Sequence, residues 1–307
     1  MGKIALLFAG QGAQHPGMGK ELVHAQPVAK QTFDELESAM PGLSKLCFEG
    51  TKEELTRTEN TQPAIFATDL AAARSLVARG INPGGVAGFS LGEVAALTFA
   101  CAFSDMDGFA LVRYRGELMA EACAAKPGGM RAVVKLTAAE VERLAKEAGA
   151  WPVNYNSPQQ TVVAGSDEAL AKLDVLVKEA KGRSLKVAVA GAFHSPYMES
   201  ASAGLAKWLE NKPPRPCIVD VWANKTAEPY PKDPSKIAEV LAAQPSSPVL
   251  WTKTLENMQA AGFDSFVEVG PGTTLTGLVK RTLKGVTALS IETPEQLEAA
   301  LGVLRKD

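Results

Sequence analysis

The chain opens on an unbroken apolar run, IALLFAG at 4–10, with no polar position to give it an exposed face. Such a run reads as a parallel strand buried on both sides and ended by a glycine turn. Helical spacing of apolar residues continues to about residue 80. Then come a short VAG strand, the turn GFSLGE at 88–93 and the apolar helix VAALTFACAF. A further helix is predicted over about 105–123, closing at AAKPGG, where proline and paired glycines break the pattern. Beyond that break the texture changes. MRAVVKL, WPVNY, TVVAG and RSLKVAVA read as strands, and TAAEVERLAKEAG and SDEALAKLDVLVKEAKG as amphipathic helices. Their order, β-α-β-β-α-β, is that of a ferredoxin-like unit.

Alternation of strand and helix then resumes. A helix is predicted from about 196, followed by the strand CIVDVWA, helices near 235–261, the strand SFVEVG, a helix, the strand VTALSI and a final helix. The predicted fold is therefore a mostly parallel α/β sheet formed by 1–125 and 191–307, with 126–190 inserted as a ferredoxin-like small subdomain. A cleft between the two is the expected ligand site.

Composition narrows the function classes. The formal net charge of −2 and the lack of like-charge blocks argue against nucleic acid as a partner. The longest apolar run is too short to span a bilayer, and the start, MGKIALLFAGQG, lacks the core and cleavage site of a signal peptide. Cys47, Cys101, Cys123 and Cys217 are scattered without paired spacing, which fits a reduced, cytoplasmic protein and predicts no metal site.

The turn GFSLGE carries the first chemistry. Glycine on both sides of Ser90 costs a helix about 1 kcal/mol each, and residues 94–103 do not alternate as a hairpin strand would. Strand, tight turn and helix remain, and G-x-S-x-G in that setting is a nucleophile elbow. A serine hydroxyl needs a base, and the chain has three histidines. His24 lies in a polar helical stretch and reads as solvated. His15 sits in the loop GQGAQHPG near the end of the first strand and is left open as a site residue. His194, in GAFHSPYM, precedes a Ser-Pro helix start and falls at the strand-end rim where α/β sites form, either as the base or satisfied by a local backbone bond. No Asp or Glu announces itself as the third member; a backbone carbonyl can fix the imidazole tautomer equally well.

At about 100° per residue, Leu111, Arg115, Leu118 and Ala122 share one face of the 105–123 helix, while Arg113, Glu117 and Glu121 form a solvated ladder elsewhere. An arginine on an apolar stripe either snorkels to water or needs an anion, supplied by the protein or by a substrate carboxylate. The first turn, FAGQGAQ, lacks both phosphate-loop spacings. It is suited instead to give a backbone N–H to an oxyanion, with Leu91 N–H as the second donor.

The stretches FAGQGAQ, TQPA, GFSLGE, RYRGELM, NYNSPQQTVVAG, GAFHSPYM, SPVLWTK and EVGPGTTLTGL, in this order over nearly the full length, resemble the malonyl-CoA:acyl carrier protein transacylases. The resemblance implies a hydrolase-like parallel-sheet core with the inserted subdomain. It makes Ser90 the nucleophile, His194 the base, the amides of Gln11 and Leu91 the oxyanion hole, and Arg115 the clamp for the malonyl carboxylate. Gln62, Asn156 and Gln160 would line the cleft or support the site, and the carbonyl of Leu250 would orient His194. Phe89 stands where the family has histidine, close to the acyl pocket, and bears on acyl choice. Phe193, in the A-F-H-S form, resembles malonyl-accepting relatives. Malonyl-CoA and acyl carrier protein are the expected partners, with no metal or cofactor, no nucleic acid and no membrane, and the chain is expected to act as a monomer in the cytoplasm. Two other readings stay open: the same chemistry for a polyketide assembly line, and a serine thioesterase or esterase. A dead scaffold that only binds the carrier is disfavoured by the retention of Ser90, His194 and Arg115 together.

Overall fold

The computed structural model describes residues 2–305. Strand β1 (Lys3–Phe8) is buried from Ile4 onward, as its unbroken apolar run requires. Five helices come after it: α1 (Lys20–Ala25), α2 (Pro27–Glu37), α3 (Leu43–Glu49), α4 (Lys52–Thr56) and α5 (Thr58–Ala78). Next come β2 (Gly85–Gly88), α6 (Leu91–Phe99) and α7 (Asp105–Ala125). Helix α5 is buried almost all round because it lies between α2, α6 and α7. Short α4 is held by a capping box in which Thr51 and Glu54 satisfy each other's backbone N–H.

The middle of the chain contributes β3 (Gly129–Val134), α8 (Ala138–Ala148), β4 (Trp151–Ser157), β5 (Gln160–Gly165), α9 (Asp167–Glu179) and β6 (Arg183–Lys186). The last part holds α10 (Glu199–Asn211), β7 (Asp220–Trp222), α11 (Pro234–Ala243), α12 (Trp251–Ala260), β8 (Phe263–Val269), α13 (Thr274–Thr282), β9 (Thr287–Ile291) and α14 (Pro294–Leu304). Two 3₁₀ turns, Pro196–Met198 and Gln244–Ser246, flank α10 and α11.

Two sheets result. The larger is wholly parallel, in the order β7-β2-β1-β8-β9. From β1 the chain winds first to β2 and β7 on one side and later to β8 and β9 on the other. The crevice at the carboxyl ends of β1 and its neighbours is thus a topological switch point. The smaller sheet, β4-β5-β3-β6, is antiparallel, the strand order of a ferredoxin-like unit. One of its faces packs Val133 and Val163 against α8 and α9. The other packs Met130, Val162 and Ala164 toward Met119 and Phe193 of the larger unit. A register shift in β4 between Pro152 and Asn154 bends this strand, and Tyr155 N–H donates to the carbonyl of Val249 at 2.9 Å. That contact ties the small sheet to the rim of the large one.

Two predicted elements are shorter than the apolar runs that suggest them. CIVDVWA supplies only Asp220–Trp222, because β7 is an edge strand whose partner β2 spans four residues. RSLKVAVA pairs only over Arg183–Lys186, and its remaining valines turn toward the cleft. The helices expected near 235–261 are α11 and α12, separated by the segment Gln244-Pro245-Ser246-Ser247-Pro248, whose prolines cannot donate the bonds that would join them.

Candidate active site

Ser90 stands between β2 and α6 with φ 55° and ψ −107°, a backbone conformation that L-residues rarely adopt. The surrounding glycines are required by crowding. A Cβ on Gly88 would lie 2.0 Å from the Gly92 carbonyl carbon, and one on Gly92 would lie 2.3 Å from the Phe8 oxygen. The elbow is held from outside by Asn224, just past β7. Its Oδ1 accepts the Ser90 N–H at 2.7 Å, and its Nδ2 donates to the Gly88 carbonyl at 2.6 Å.

Ser90 Oγ lies 2.7 Å from His194 Nε2. On the other side of the ring, Nδ1 lies 3.1 Å from the carbonyl of Gln244 and 3.2 Å from that of Ser247. Carbonyls only accept, so Nδ1 carries the proton and Nε2 presents its lone pair to the serine hydroxyl. The carbonyl expected to do this, that of Leu250, does not. It opens α12 and accepts from the N–H and hydroxyl of Thr254, at 2.9 and 3.1 Å. The proline-broken turn at 244–248 is what exposes two carbonyls to the imidazole instead. His194 is 3% exposed, and burial together with the nearby Arg115 charge pushes its pKa down to about 4. At neutral pH it is an unprotonated base.

Arg115 faces inward from α7 and is 1% exposed. Leu111 and Ala122 share its buried face, with Leu118 half-buried beside them. Its Nη1 donates to Gln62 Oε1 at 2.9 Å, and its Nη2 donates to Gln244 Oε1 at 2.8 Å and to Ser90 Oγ at 3.0 Å. All three partners are neutral, and Nε has none among the described residues. Burial draws the guanidinium down to about 10, still fully charged at neutral pH, with Glu93 opposing the shift. Arg113 does not join a surface ladder with Glu117; it is half-buried and donates to the carbonyl of Ala39 at 3.0 Å.

The cleft beside Ser90 and His194 runs between the two sheets. Gln11, Phe89, Asn156, Gln160 and Phe193 line it, whereas Gln62 and Arg115 lie behind the serine. Phe89 meets Trp251 edge-on with centroids 5.3 Å apart. Gln160 accepts from Arg281 Nη1 at 3.1 Å across the cleft. The Leu91 side chain is fully buried, and its N–H begins α6, where no helical carbonyl precedes it. His15 and His24 are not brought in. His15 Nε2 pairs with Glu292 at 2.7 Å, and exposed His24 packs on Phe48.

Asn224, Gln244 and Glu93 escape the sequence reading. Asn224 and Gln244 sit in turns among other polar residues, without local pattern; Glu93 has a usable signal, as the one carboxylate in an otherwise apolar helix start.

This elbow, base and buried arginine can be set beside known proteins. The acyl transferase domain model matches residues 5–307. The chain belongs to the acyl transferase family. A malonyl CoA-acyl carrier protein transacylase of Bacillus subtilis is 37% identical to this acyltransferase, over 100% of this chain and 99% of its own. The crystal structure of a malonyl CoA-acyl carrier protein transacylase from Clostridium perfringens superposes with a TM-score of 0.95 at 37% identity, covering 99% of this chain and 98% of that one. A malonyl-transacylase in complex with a type II polyketide acyl-carrier protein matches with a TM-score of 0.94 at 34% identity, covering 98% and 99%. The core and inserted small sheet of this acyltransferase are those of the solved family members.

Proposed function

We propose that this acyltransferase moves a malonyl group from CoA to the phosphopantetheine thiol of acyl carrier protein, in fatty acid synthesis, through an ester on Ser90. The observation that carries the reading is a charged, buried arginine 3.0 Å from the nucleophile whose partners are all neutral. A fully desolvated cation so placed is suited to an anionic acyl group. It has no use in an esterase acting on neutral acyl chains.

In the first half-reaction His194 Nε2 takes the Ser90 proton as Oγ bonds to the thioester carbonyl carbon. The oxyanion is held by the amides of Gln11 and Leu91; one such donor is worth about 3 kcal/mol in comparable sites. Collapse breaks the C–S bond, and the proton on His194 passes to the CoA sulfur. In the second half the carrier thiol gives its proton to His194 and attacks the ester, and Ser90 Oγ recovers a proton as it leaves. Gln62 and Gln244 occupy one N–H on each end of the Arg115 fork. A second N–H on Nη1 and the one now directed at Ser90 remain for the malonyl carboxylate. Asn156, Gln160, Phe89 and Phe193 line the path of the acyl group and pantetheine arm. The chemistry needs no cofactor, and the chain works as a cytoplasmic monomer.

The experiment is intact mass spectrometry after mixing with malonyl-CoA or acetyl-CoA, followed by addition of carrier. One malonyl group should map to the Ser90 peptide, be absent in Ser90→Ala, and leave on addition of fatty acid synthesis carrier. An adduct that persists in Ser90→Ala, or that water removes as fast as the carrier does, rules the reading out. Discharge only to a polyketide carrier would move the same chemistry to an assembly line, as in the relative bound to its polyketide carrier.

A further inference from the structure

Glu93 lies three residues past Ser90 in α6 and is fully buried. A carboxylate without water needs donors on its oxygens, and it has them. Oε1 accepts from the Tyr230 hydroxyl and from the Asn224 N–H at 3.3 Å, and Oε2 accepts from Gln244 Nε2 at 2.9 Å. Neither half-reaction makes use of this group, yet two of its partners touch the catalytic serine. Asn224 holds the Ser90 N–H. Gln244 donates a second time, from the same Nε2, to the Ser90 carbonyl at 2.7 Å.

A primary amide has two ends of nearly equal shape, so its orientation is set by what surrounds it. For Gln244 the choice is forced. Ser90 O only accepts and Arg115 Nη2 only donates, so Nε2 faces Ser90 O, with Glu93 Oε2 taking its second N–H, and Oε1 is turned to Arg115 Nη2 at 2.8 Å. Without an acceptor at position 93 that orientation rests on the Ser90 carbonyl and Arg115 alone, and one Gln244 N–H is left unpaired in a buried site, so the amide is seated less firmly. The fork would then be held less firmly by the contact that keeps one Nη2 hydrogen engaged and the other aimed at the reacting atom.

We propose that Glu93 is a positioning residue for acyl-group choice, holding the Arg115 fork, through the oriented Gln244 amide, at the angle that receives a substrate carboxylate. The proposal rests on the reading of Arg115 as the carboxylate clamp. Glu93 touches no substrate, and its effect should be confined to acyl groups that carry a carboxylate.

The test compares kcat/KM for Ser90 acylation by malonyl-CoA and by acetyl-CoA in the wild type, Glu93→Gln and Glu93→Asp, each also in an Arg115→Ala background. Glu93→Gln keeps the size but removes the obligate acceptor. Glu93→Asp keeps a carboxyl group but withdraws its oxygens from Gln244, and it answers the question if the first variant does not fold. Either should lower the malonyl-to-acetyl ratio by about tenfold, mostly through KM for malonyl-CoA, as expected when binding rather than chemistry is disturbed. In the Arg115→Ala background the same substitutions should leave the ratio where it is. Equal losses for both acyl groups, or an undiminished effect without Arg115, would overturn the proposal while leaving Ser90 malonylation by the wild type intact. Failure of the wild type to take malonyl on Ser90 would instead remove the reading beneath it.

Discussion

Replacing Arg115 by alanine separates the clamp from the scaffold. A carboxylate received by two N–H groups of a desolvated guanidinium gains charged hydrogen bonds of about 1.5–3 kcal/mol each. Allowing for incomplete additivity, loss of both is worth about 3–5 kcal/mol, or roughly 100-fold to 5,000-fold in kcat/KM for malonyl-CoA. The substitution also strands Gln62 Oε1 and Gln244 Oε1 and opens a space behind Ser90, but those costs fall on the stability of the enzyme and do not distinguish acyl groups. Acetyl transfer should therefore hold steady or rise, since a small neutral acyl group no longer faces an unpaired cation. Acylation rates read by intact mass over a range of each CoA ester give both constants. Equal losses for malonyl and acetyl would show that Arg115 is structural, and the selectivity argument would fall with it.

Three further outcomes are expected. Burial holds His194 near 4, so the base stays deprotonated down to that range. The acid limb of kcat/KM should lie well below the 6.5 of a free imidazole, and should move upward in Arg115→Ala, which removes the charge second to burial in depressing it; a limb at 6.5 in the wild type contradicts this. Asn224→Ala frees both the Ser90 N–H and the Gly88 carbonyl and should slow malonyl and acetyl transfer by about tenfold or more in equal measure, through kcat, as steady-state kinetics on both esters would reveal. Phe89→His keeps an aromatic ring against Trp251 and should change malonyl kcat/KM by less than about tenfold, or 1.4 kcal/mol; a gain of several hundredfold would mean that the natural residue serves another acyl group.

Features that the sequence discloses and features that it hides divide along one line. IALLF is legible because a strand buried on both faces leaves no polar position, and it occupies the middle of the parallel sheet. Ser90 is legible because its glycines stand where any Cβ would strike backbone. His194 emerges by elimination from three histidines, and Arg115 because a charge on an apolar stripe has to be explained. Asn224 and Gln244 leave no such mark. Each sits in a turn among other polar residues, brought to the serine by the pairing of β7 with β2 and by the broken segment after α11. The carbonyl that orients His194 is harder still, since a backbone acceptor has no side-chain signature. Family resemblance points to Leu250, and the structure gives the role to Gln244 and Ser247, six and three residues earlier.

The charge arrangement behind the serine also has a physical logic of its own. A buried guanidinium with no carboxylate nearby would be very costly, whereas one locked in a direct bidentate ion pair would have no N–H to offer a substrate. Here the carboxylate of Glu93 is set one amide away. Gln244 Nε2 reaches Glu93 and Gln244 Oε1 reaches Arg115, so Glu93, which burial pushes up to about 7 against its hydrogen bonds and the Arg115 charge, faces the arginine across the amide without occupying the fork. Two neutral amides, from Gln62 and Gln244, replace only part of the water that the cation has lost, and the nucleophile takes a third N–H. Acylation turns that hydroxyl into an ester oxygen, a poorer acceptor, just as a malonyl carboxylate arrives beside it. On the proposed role of Arg115, the arginine would exchange a weak partner for a strong one when the acyl group is malonyl, and would lose a partner without replacement when it is acetyl. That difference works in favour of the charged acyl group.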